Sequence, residues 1–249
     1  MFIESAQNKF FKELLKLKDK KFRDESGLFL VEGEKQVSEI DKTWNIDKLI
    51  ISENYKGAGE LTNNKNLVIL SDKLFAKISG TKTPQGIIAA VSKKTYKTDS
   101  ILNEKGLFVV LENIQDPGNL GTIIRTADAF GAKAVFVSAE SADIYSEKVI
   151  RSTMGSIFHL PVITNTNIND LISSLKTSKI PIVAATLNGK DTKIPATSAL
   201  FIGNEASGLS AKTQESSDIC IKIEMAGKAE SLNAAVAAGI LMFKYSLNL

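Results

Sequence analysis

Apolar residues along this chain fall into short runs separated by polar stretches of helical period, and that spacing predicts alternating strands and helices. Near the start, Phe10, Phe11, Leu14, Leu15 and Leu17 share one side of an amphipathic helix whose other side is lysine. LFLVEG (Leu28 to Gly33) predicts a strand leading into a second helical stretch, EKQVSEIDK. KLIIS near Leu49, NLVIL near Leu67 and GIIAAV near Ile87 continue the strand series, the pattern of a small α/β module. The polar, charged stretch SKKTYKTDSILNEK then interrupts it, which divides the chain into a first domain over 1–97, a linker over 98–105 and a second domain over 106–249.

The second domain opens on GLFVVLEN (Gly106 to Asn113), a near-continuous apolar run of the kind parallel sheets bury on both faces. Leu120, Ile123, Ile124, Ala127 and Phe130 then fall on one side of a helix that ends at Gly131. AVFVS from Ala134, LPVIT from Leu160, PIVAAT from Pro181, ALFIGN from Ala199 and ICIKI from Ile219 are the further strands. Such alternation argues for a parallel sheet covered on both faces, in which ligands bind beyond the carboxyl ends of the strands.

Three glycine-centred turns follow predicted strands and so belong on one rim: DPGNLG from Asp116, GNEASGL from Gly203 and EMAGKAESLN from Glu224. In the first, Pro117 and Gly118 make the turn, Asn119 suits a helix cap, and Arg125 lies about one turn into the helix. Glu205 in the second is placed to bond a ligand, balance a cation or complement a helix dipole. The third delivers Ser231, Leu232 and Asn233 to a final helix, with Ser231 suited to cap it and Leu232, Val236, Gly239, Ile240 and Phe243 on its apolar side. Neither GxGxxG nor GxxxxGK[ST] occurs, so these are not the familiar nucleotide fingerprints.

Composition narrows the class. With 249 residues and 43% apolar content the chain is an ordinary globular protein. Its longest apolar stretch, Leu232 to Phe243, is shorter than the roughly 20 residues of a bilayer span. No membrane span and no leader peptide are expected, and the cytoplasm is the expected location. One cysteine, Cys220, excludes an intramolecular disulfide and suits a buried strand position.

Net charge is +3 but unevenly spread: residues 1–97 carry 18 Lys and Arg against 13 Asp and Glu, whereas the rest carry 13 against 15. The basic excess is densest from Lys9 to Arg23, close to Phe10, Phe11 and Phe22, which fits either a solvated helix face or a nucleic-acid surface. Arginine occurs only three times, so Arg125 beside a glycine-rich turn is a candidate for anion or substrate contact. The lone His159 precedes LPV and reads as incidental.

Taken together, in this order and spacing, the loops closely resemble the SPOUT superfamily, specifically SpoU or TrmH-like RNA ribose 2′-O-methyltransferases. The first motif matches through Asn119, Gly121 and Arg125, the second through Gly203, Glu205, Gly208 and Leu209, the third through Met225, Gly227, Ser231, Leu232 and Asn233. RSTMGSIFHLPV from Arg151 matches an intermediate element, and NKFFKELLKL, FLVEG and TPQGIIAAV resemble an L30e-like RNA-binding domain. Two positions depart from the pattern: Glu224 stands where proline is usual, and Ala234 with Ala235 replace a valine-serine pair.

The resemblance implies an α/β trefoil-knot (SPOUT) domain with a mostly parallel sheet, preceded by a small L30e-like α/β domain. It implies S-adenosyl-L-methionine held by Leu187, Gly203, Asn204, Glu205, Ile223, Met225 and Leu232, no metal, and a homodimer with the active site at the subunit interface. Asn119, Arg125, Glu205, Ser231 and Asn233 are the implied catalytic set, with Arg125 at the ribose 2′-hydroxyl as base or as phosphate and alkoxide stabiliser. In that light Lys20, Lys21, Arg23 and Arg151 become candidate RNA contacts. The implied reaction is methyl transfer to a ribose 2′-hydroxyl of ribosomal RNA; the alternatives are a transfer-RNA 2′-O-methyltransferase and a non-catalytic RNA-binding or ribosome-assembly protein that keeps the fold.

Overall fold

Successive side chains of a strand point to opposite faces, and the strand Leu28–Glu32 uses both: Leu30 joins a cluster with helical residues such as Phe11 and Phe75, while Phe29 meets Trp44, Tyr145 and Phe158. The computed structural model describes residues 1–57, 59 and 65–247, in two units. The first is Met1–Lys94 with Tyr145–Phe158, and the second is Thr95–Ile144 with His159–Leu249. In chain order the elements are β1 (Phe2–Ile3), α1 (Lys9–Lys16), α2 (Lys20–Ser26), β2 (Leu28–Glu32), α3 (Glu34–Ser38), β3 (Ile46–Ser52), β4 (Leu67–Leu70), α4 (Asp72–Ile78) and β5 (Ile87–Ser92). There follow α5 (Thr98–Leu102), β6 (Leu107–Leu111), α6 (Pro117–Ala129), β7 (Ala134–Ser138), α7 (Glu147–Thr153), β8 (Val162–Thr166), α8 (Ile168–Thr177), β9 (Ile182–Lys190), β10 (Ser198–Ile202), α9 (Ala211–Glu215), β11 (Ile219–Ile221) and α10 (Ala234–Ser246).

The first unit carries a five-stranded sheet of order β1-β4-β3-β5-β2, parallel between β1, β4 and β3 and antiparallel from β3 through β5 to β2. One core is built from Phe11, Leu14 and Leu17 with Leu30, Ile50, Leu70, Phe75 and Ile88. The predicted amphipathic helix thus buries its apolar side, but in two pieces, because Asp19 caps α2 by accepting from the Phe22 amide. Tyr145–Phe158 belongs to this unit: the Tyr145 ring lies 4.7 Å from Phe29, and the Trp44 indole N–H donates to the Phe158 carbonyl at 3.2 Å. No pattern in the sequence marks that excursion.

All six strands of the second unit run parallel, in the order β11-β9-β10-β6-β7-β8. Every residue of β6, β7 and β10 is buried, as a sheet covered on both faces requires. Phe108, Phe136 and Phe201 pack with Ile101, Leu102, Leu171 and Leu175 on one face, so the stretch expected as a linker over 98–105 instead contains α5, whose Ile101 and Leu102 are buried. The parallel α/β architecture expected of the second half, behind a smaller α/β unit, is therefore the one found. In register Leu111 lies opposite Ile202, and Phe201 opposite Ala184, so β6 and β10 end at one carboxyl rim and β9 runs on past it to Lys190.

Candidate functional site

Pro117 occupies the first turn of α6, and Asp116, not Asn119, is its N-cap, with the Asp116 carboxylate accepting from the Asn119 amide at 2.8 Å. Aspartate and asparagine compete as caps; because the aspartate wins, the Asn119 side chain is released for other contacts. Its amide donates to Glu205 Oε1 at 2.6 Å, and its carbonyl accepts from Asn233 Nδ2 at 3.0 Å. One side chain thereby ties the first glycine-centred loop to the second and the third. Because α6 starts at Pro117, Arg125 lies two turns into the helix rather than one. It is exposed and engaged by no side chain among the described residues.

Asn113 takes a left-handed conformation, φ 61°, just before this loop, and sequence reasoning passed it over. Its amide donates to Ser138 Oγ, its side-chain oxygen accepts from the same hydroxyl, and its carbonyl accepts from Asn204 Nδ2 at 2.9 Å. Asn204 Oδ1 in turn accepts from the Ala206 and Ser207 amides. An asparagine that tolerates positive φ at the end of a buried strand was the available signal.

Gly203 closes β10 where no side chain fits: a Cβ there would lie 2.4 Å from the Gly208 carbonyl carbon. The turn is locked by mutual backbone bonds between Asn204 and Gly208, at 3.2 and 3.0 Å. Asn233 caps α10 by accepting from the Ala235 and Val236 amides, so Ser231 is not the cap. Between the second half of β9, the Gly203–Leu209 loop and the segment from Ile221 to Leu232 lies a cleft of about 640 Å³. All seven residues expected to hold a cofactor line it: Leu187, Gly203, Asn204, Glu205, Ile223, Met225 and Leu232. Ser231 lines it as well, whereas Arg125 does not.

A cleft of that volume is of the size small molecules occupy. Its wall includes a turn packed so closely on itself that a Cβ at Gly203 would meet Gly208 and Leu209 backbone, which fixes the backbone groups that a ligand there would meet. The residues present fit S-adenosylmethionine in that respect: they offer backbone amides and carbonyls, the Leu187, Met225 and Leu232 side chains and the Glu205 carboxylate, and they present no phosphate loop.

Several expectations change. Arg23 is only 4% exposed, and its guanidinium donates to the Leu17 and Lys18 carbonyls at 2.8 and 2.7 Å, so it closes α1 and is not a surface RNA contact. Lys20 and Lys21 are exposed but lie against Asp24 and Glu25 at i,i+4. Hydrogen bonds from Lys20 and Lys93 hold the Asp24 carboxyl below the usual carboxylate range. Arg151 is exposed and donates to the Gly80 carbonyl at 3.4 Å. Cys220 is exposed on the edge strand β11, contrary to the buried position its apolar neighbours suggest. His159 pairs with Asp128 of α6 at 2.8 Å. On α10 the buried side is Ala234, Ala238, Leu241, Met242 and Tyr245, while Val236, Ile240 and Phe243 of the expected apolar side are 51%, 39% and 52% exposed.

A parallel α/β unit whose carboxyl rim carries two glycine-centred loops lining one cleft, with a third tied to both through Asn119, has the ligand site of an α/β enzyme that binds a small molecule. Residues 106–243 match the SpoU rRNA Methylase family and residues 8–89 the MRM3-like substrate binding domain. The chain is 37% identical over 246 residues to the 23S rRNA (guanosine(2553)-2′-O)-methyltransferase RlmP of Bacillus subtilis, covering 97% of each protein. A crystal structure of AdoMet-bound rRNA methyltransferase from Sinorhizobium meliloti superposes with TM-score 0.90 at 30% identity, over 100% of this chain and 98% of that one. The SpoU methyltransferase AviRb from Streptomyces viridochromogenes, in complex with AdoMet, superposes with TM-score 0.88 at 28% identity, over 97% of this chain and 98% of that one. The chain belongs to the SpoU rRNA methylase family.

Proposed function

We propose that this protein is an S-adenosylmethionine-dependent RNA methyltransferase that acts on a ribose 2′-hydroxyl of 23S ribosomal RNA. The observation that carries the reading is the bond chain Asn233 to Asn119 to Glu205, which joins all three family motifs beside the cleft. Full-length likeness to RlmP supports the ribose and the ribosomal RNA. When bound, S-adenosylmethionine supplies an electrophilic methyl group on a sulfonium.

The chain's own part is positioning and charge control. Leu187, Gly203, Asn204, Glu205, Ile223, Met225 and Leu232 hold the cofactor in the cleft. Asn119 and Asn233 keep the rim in one arrangement, and Ser231 offers a hydroxyl at its edge. A guanidinium keeps its proton in proteins, so an arginine is a poor proton acceptor. Arg125 therefore orients the flanking phosphate, to which the 2′-hydroxyl proton passes, and stabilises the oxygen as that proton leaves.

Arg125 stands outside the cleft of its own chain, and α10 shows an apolar stripe of Val236, Ile240, Phe243 and Leu247. These two facts support a homodimer in which α6 and α10 meet the partner, and in which the catalytic group is completed across the interface. Ile240→Asp should yield monomers by light scattering and lose methyl transfer; a fully active monomer would refute the shared site. The first unit, over which the substrate-binding domain matches, supplies the RNA grip. A ribosomal RNA substrate supports a cytoplasmic location, and no described helix is long and apolar enough to cross a membrane.

The direct experiment is methyl transfer from labelled cofactor to unmodified ribosomal RNA, followed by mapping of the modified ribose, with the nucleotide equivalent to guanosine 2553 mapped first. Arg125→Ala should lower turnover by about 10²–10³-fold. Label appearing in transfer RNA alone would favour the transfer-RNA enzyme. No label from a wild type that binds cofactor would favour the non-catalytic protein.

A further inference from the structure

In the first unit, the loop Ser79–Gly86 is held at both ends by side chains from elsewhere in that unit. At its start the Glu32 carboxylate, at the end of β2, accepts from Ser79 Oγ at 2.5 Å, Gly80 N at 2.8 Å and Thr81 Oγ1 at 2.9 Å. Ser79 itself is 8% exposed. Two cations brace the same turn from other elements: Lys18 donates to the Ser79 carbonyl at 3.1 Å, and Arg151 of α7 to the Gly80 carbonyl at 3.4 Å. At the far end, Gln85 Oε1 accepts from the Glu34 amide at 2.9 Å, and the Gly86 carbonyl accepts from the Ser52 amide. Between these anchors Lys82, Thr83, Pro84 and Gln85 are all exposed.

Exposed polar loops ordinarily need no such bracing. Five hydrogen bonds to three consecutive residues fix the backbone before anything binds, which lowers the ordering cost of a later contact. The Glu32 charge is satisfied by the loop's own donors. Lys18, which also lies 3.7 Å from Glu147 Oε1, and Arg151 each give one of their several donors to the loop, and Lys82 adds a third cation. Such a rigid, cationic, hydrogen-bonding turn matches a phosphate backbone better than an apolar or acidic-poor partner.

We propose that the Ser79–Gly86 loop, with Lys18, Lys82 and Arg151 around it, is the phosphate-gripping element of the first unit, and that Glu32 is the residue that positions it. The inference rests on the proposed RNA substrate and says where the first unit holds it, in place of the Lys20, Lys21 and Arg23 group. Arg23 is buried against the Leu17 and Lys18 carbonyls, and Lys20 and Lys21 stand on a helix with no braced turn between them, so that group lacks the fixed backbone of the Ser79–Gly86 loop.

The test uses the full chain and an unmodified 23S rRNA transcript, with RNA affinity measured between about 50 and 200 mM salt. Lys82→Ala, on an exposed loop residue, should weaken RNA binding about five- to tenfold and lower the log–log salt slope by about 0.7–1, with S-adenosylmethionine affinity unchanged. Thr81→Val removes one donor to Glu32 and should raise KM for RNA about threefold, and Thr81→Ser should restore it. Glu32→Gln should behave as Thr81→Val does; a purely structural Glu32 would lower Tm without moving KM or the salt slope. Lys176→Ala, on α8 of the second unit, should leave RNA affinity as it was. Wild-type RNA affinity and salt slope in Lys82→Ala would overturn the proposal while leaving the methyltransferase reading intact. A wild type that binds cofactor but methylates no RNA would remove that reading and this one together.

Discussion

Gly203→Ala tests whether the cleft depends on a backbone approach that only glycine permits. The added carbon would lie 2.4 Å from the Gly208 carbonyl carbon and 2.5 Å from both the Gly208 oxygen and the Leu209 nitrogen. Ordinary carbon contacts sit near 3.5 Å, so relief needs the turn to open by about 1 Å. All three atoms are backbone, so no side chain can swing aside. Opening breaks the two mutual bonds between Asn204 and Gly208, a loss of about 2 kcal/mol, or a fall in Tm of about 4–8 °C for a chain of this size.

The larger effect belongs to the ligand. With S-adenosylmethionine at about 100 times its wild-type Kd, binding should stabilise the wild type by about 2.7 kcal/mol. A variant whose affinity has fallen about 100-fold would gain only about 0.4 kcal/mol under the same conditions. Calorimetric titration and melting curves with and without cofactor read the two numbers independently. Gly208→Ala is the graded companion: φ is +67° but nothing lies within 4 Å of the added carbon, so it carries about 1 kcal/mol of backbone strain and no clash. Wild-type cofactor affinity in Gly203→Ala, or equal losses in the two variants, would refute the steric argument.

Asn119→Asp places a carboxylate where Asn119 Nδ2 now lies 2.6 Å from Glu205, so at pH 7 turnover should fall at least tenfold; recovery of rate at lower pH, as one carboxylate takes a proton, is the accompanying sign. Phe158→Ala removes a ring packed 5.1 Å from Trp44 and should cost about 3–5 kcal/mol in the first unit, with a red shift in the emission of Trp44, the chain's single tryptophan. Asp24 is held below its ordinary pKa by Lys20 and Lys93, so its stabilisation is present above about pH 4 and lost as pH falls through the lowered folded value. Melting curves of Asp24→Asn should therefore differ from wild type at neutral pH, by at most about 1 kcal/mol, and converge with it in acid.

Strand positions are readable because a strand buried on both faces must be apolar along nearly its whole length, and LFVVL, AVFVS and SALFI are, with serine only at an end, Ser138 and Ser198. The three loops were readable because turns that approach backbone closely need glycine, as Gly203 does. Which side chain does which job at those loops was less so. Asp116 and Asn119 are both good caps three residues apart, and only the built turn assigns the cap to one and the bridge between loops to the other. Arg23 offers the same contrast: a lone arginine in a lysine-rich stretch reads as surface, yet it is buried because two carbonyls at the end of α1 need a donor.

Sequence by itself determined the alternation of elements, the parallel second sheet, the three loops on one rim and, through their motifs, the family. It could not determine partners distant in the chain. Periodicity records that a face is apolar but not what covers it, so α10, apolar nearly all round, was assigned the side that the fold leaves exposed. For the same reason Tyr145–Phe158 gave no sign that it completes the first unit, since Phe29 and Trp44 lie more than a hundred residues away. Those choices belong to tertiary structure, because packing and hydrogen bonding are settled between residues that local pattern never brings together.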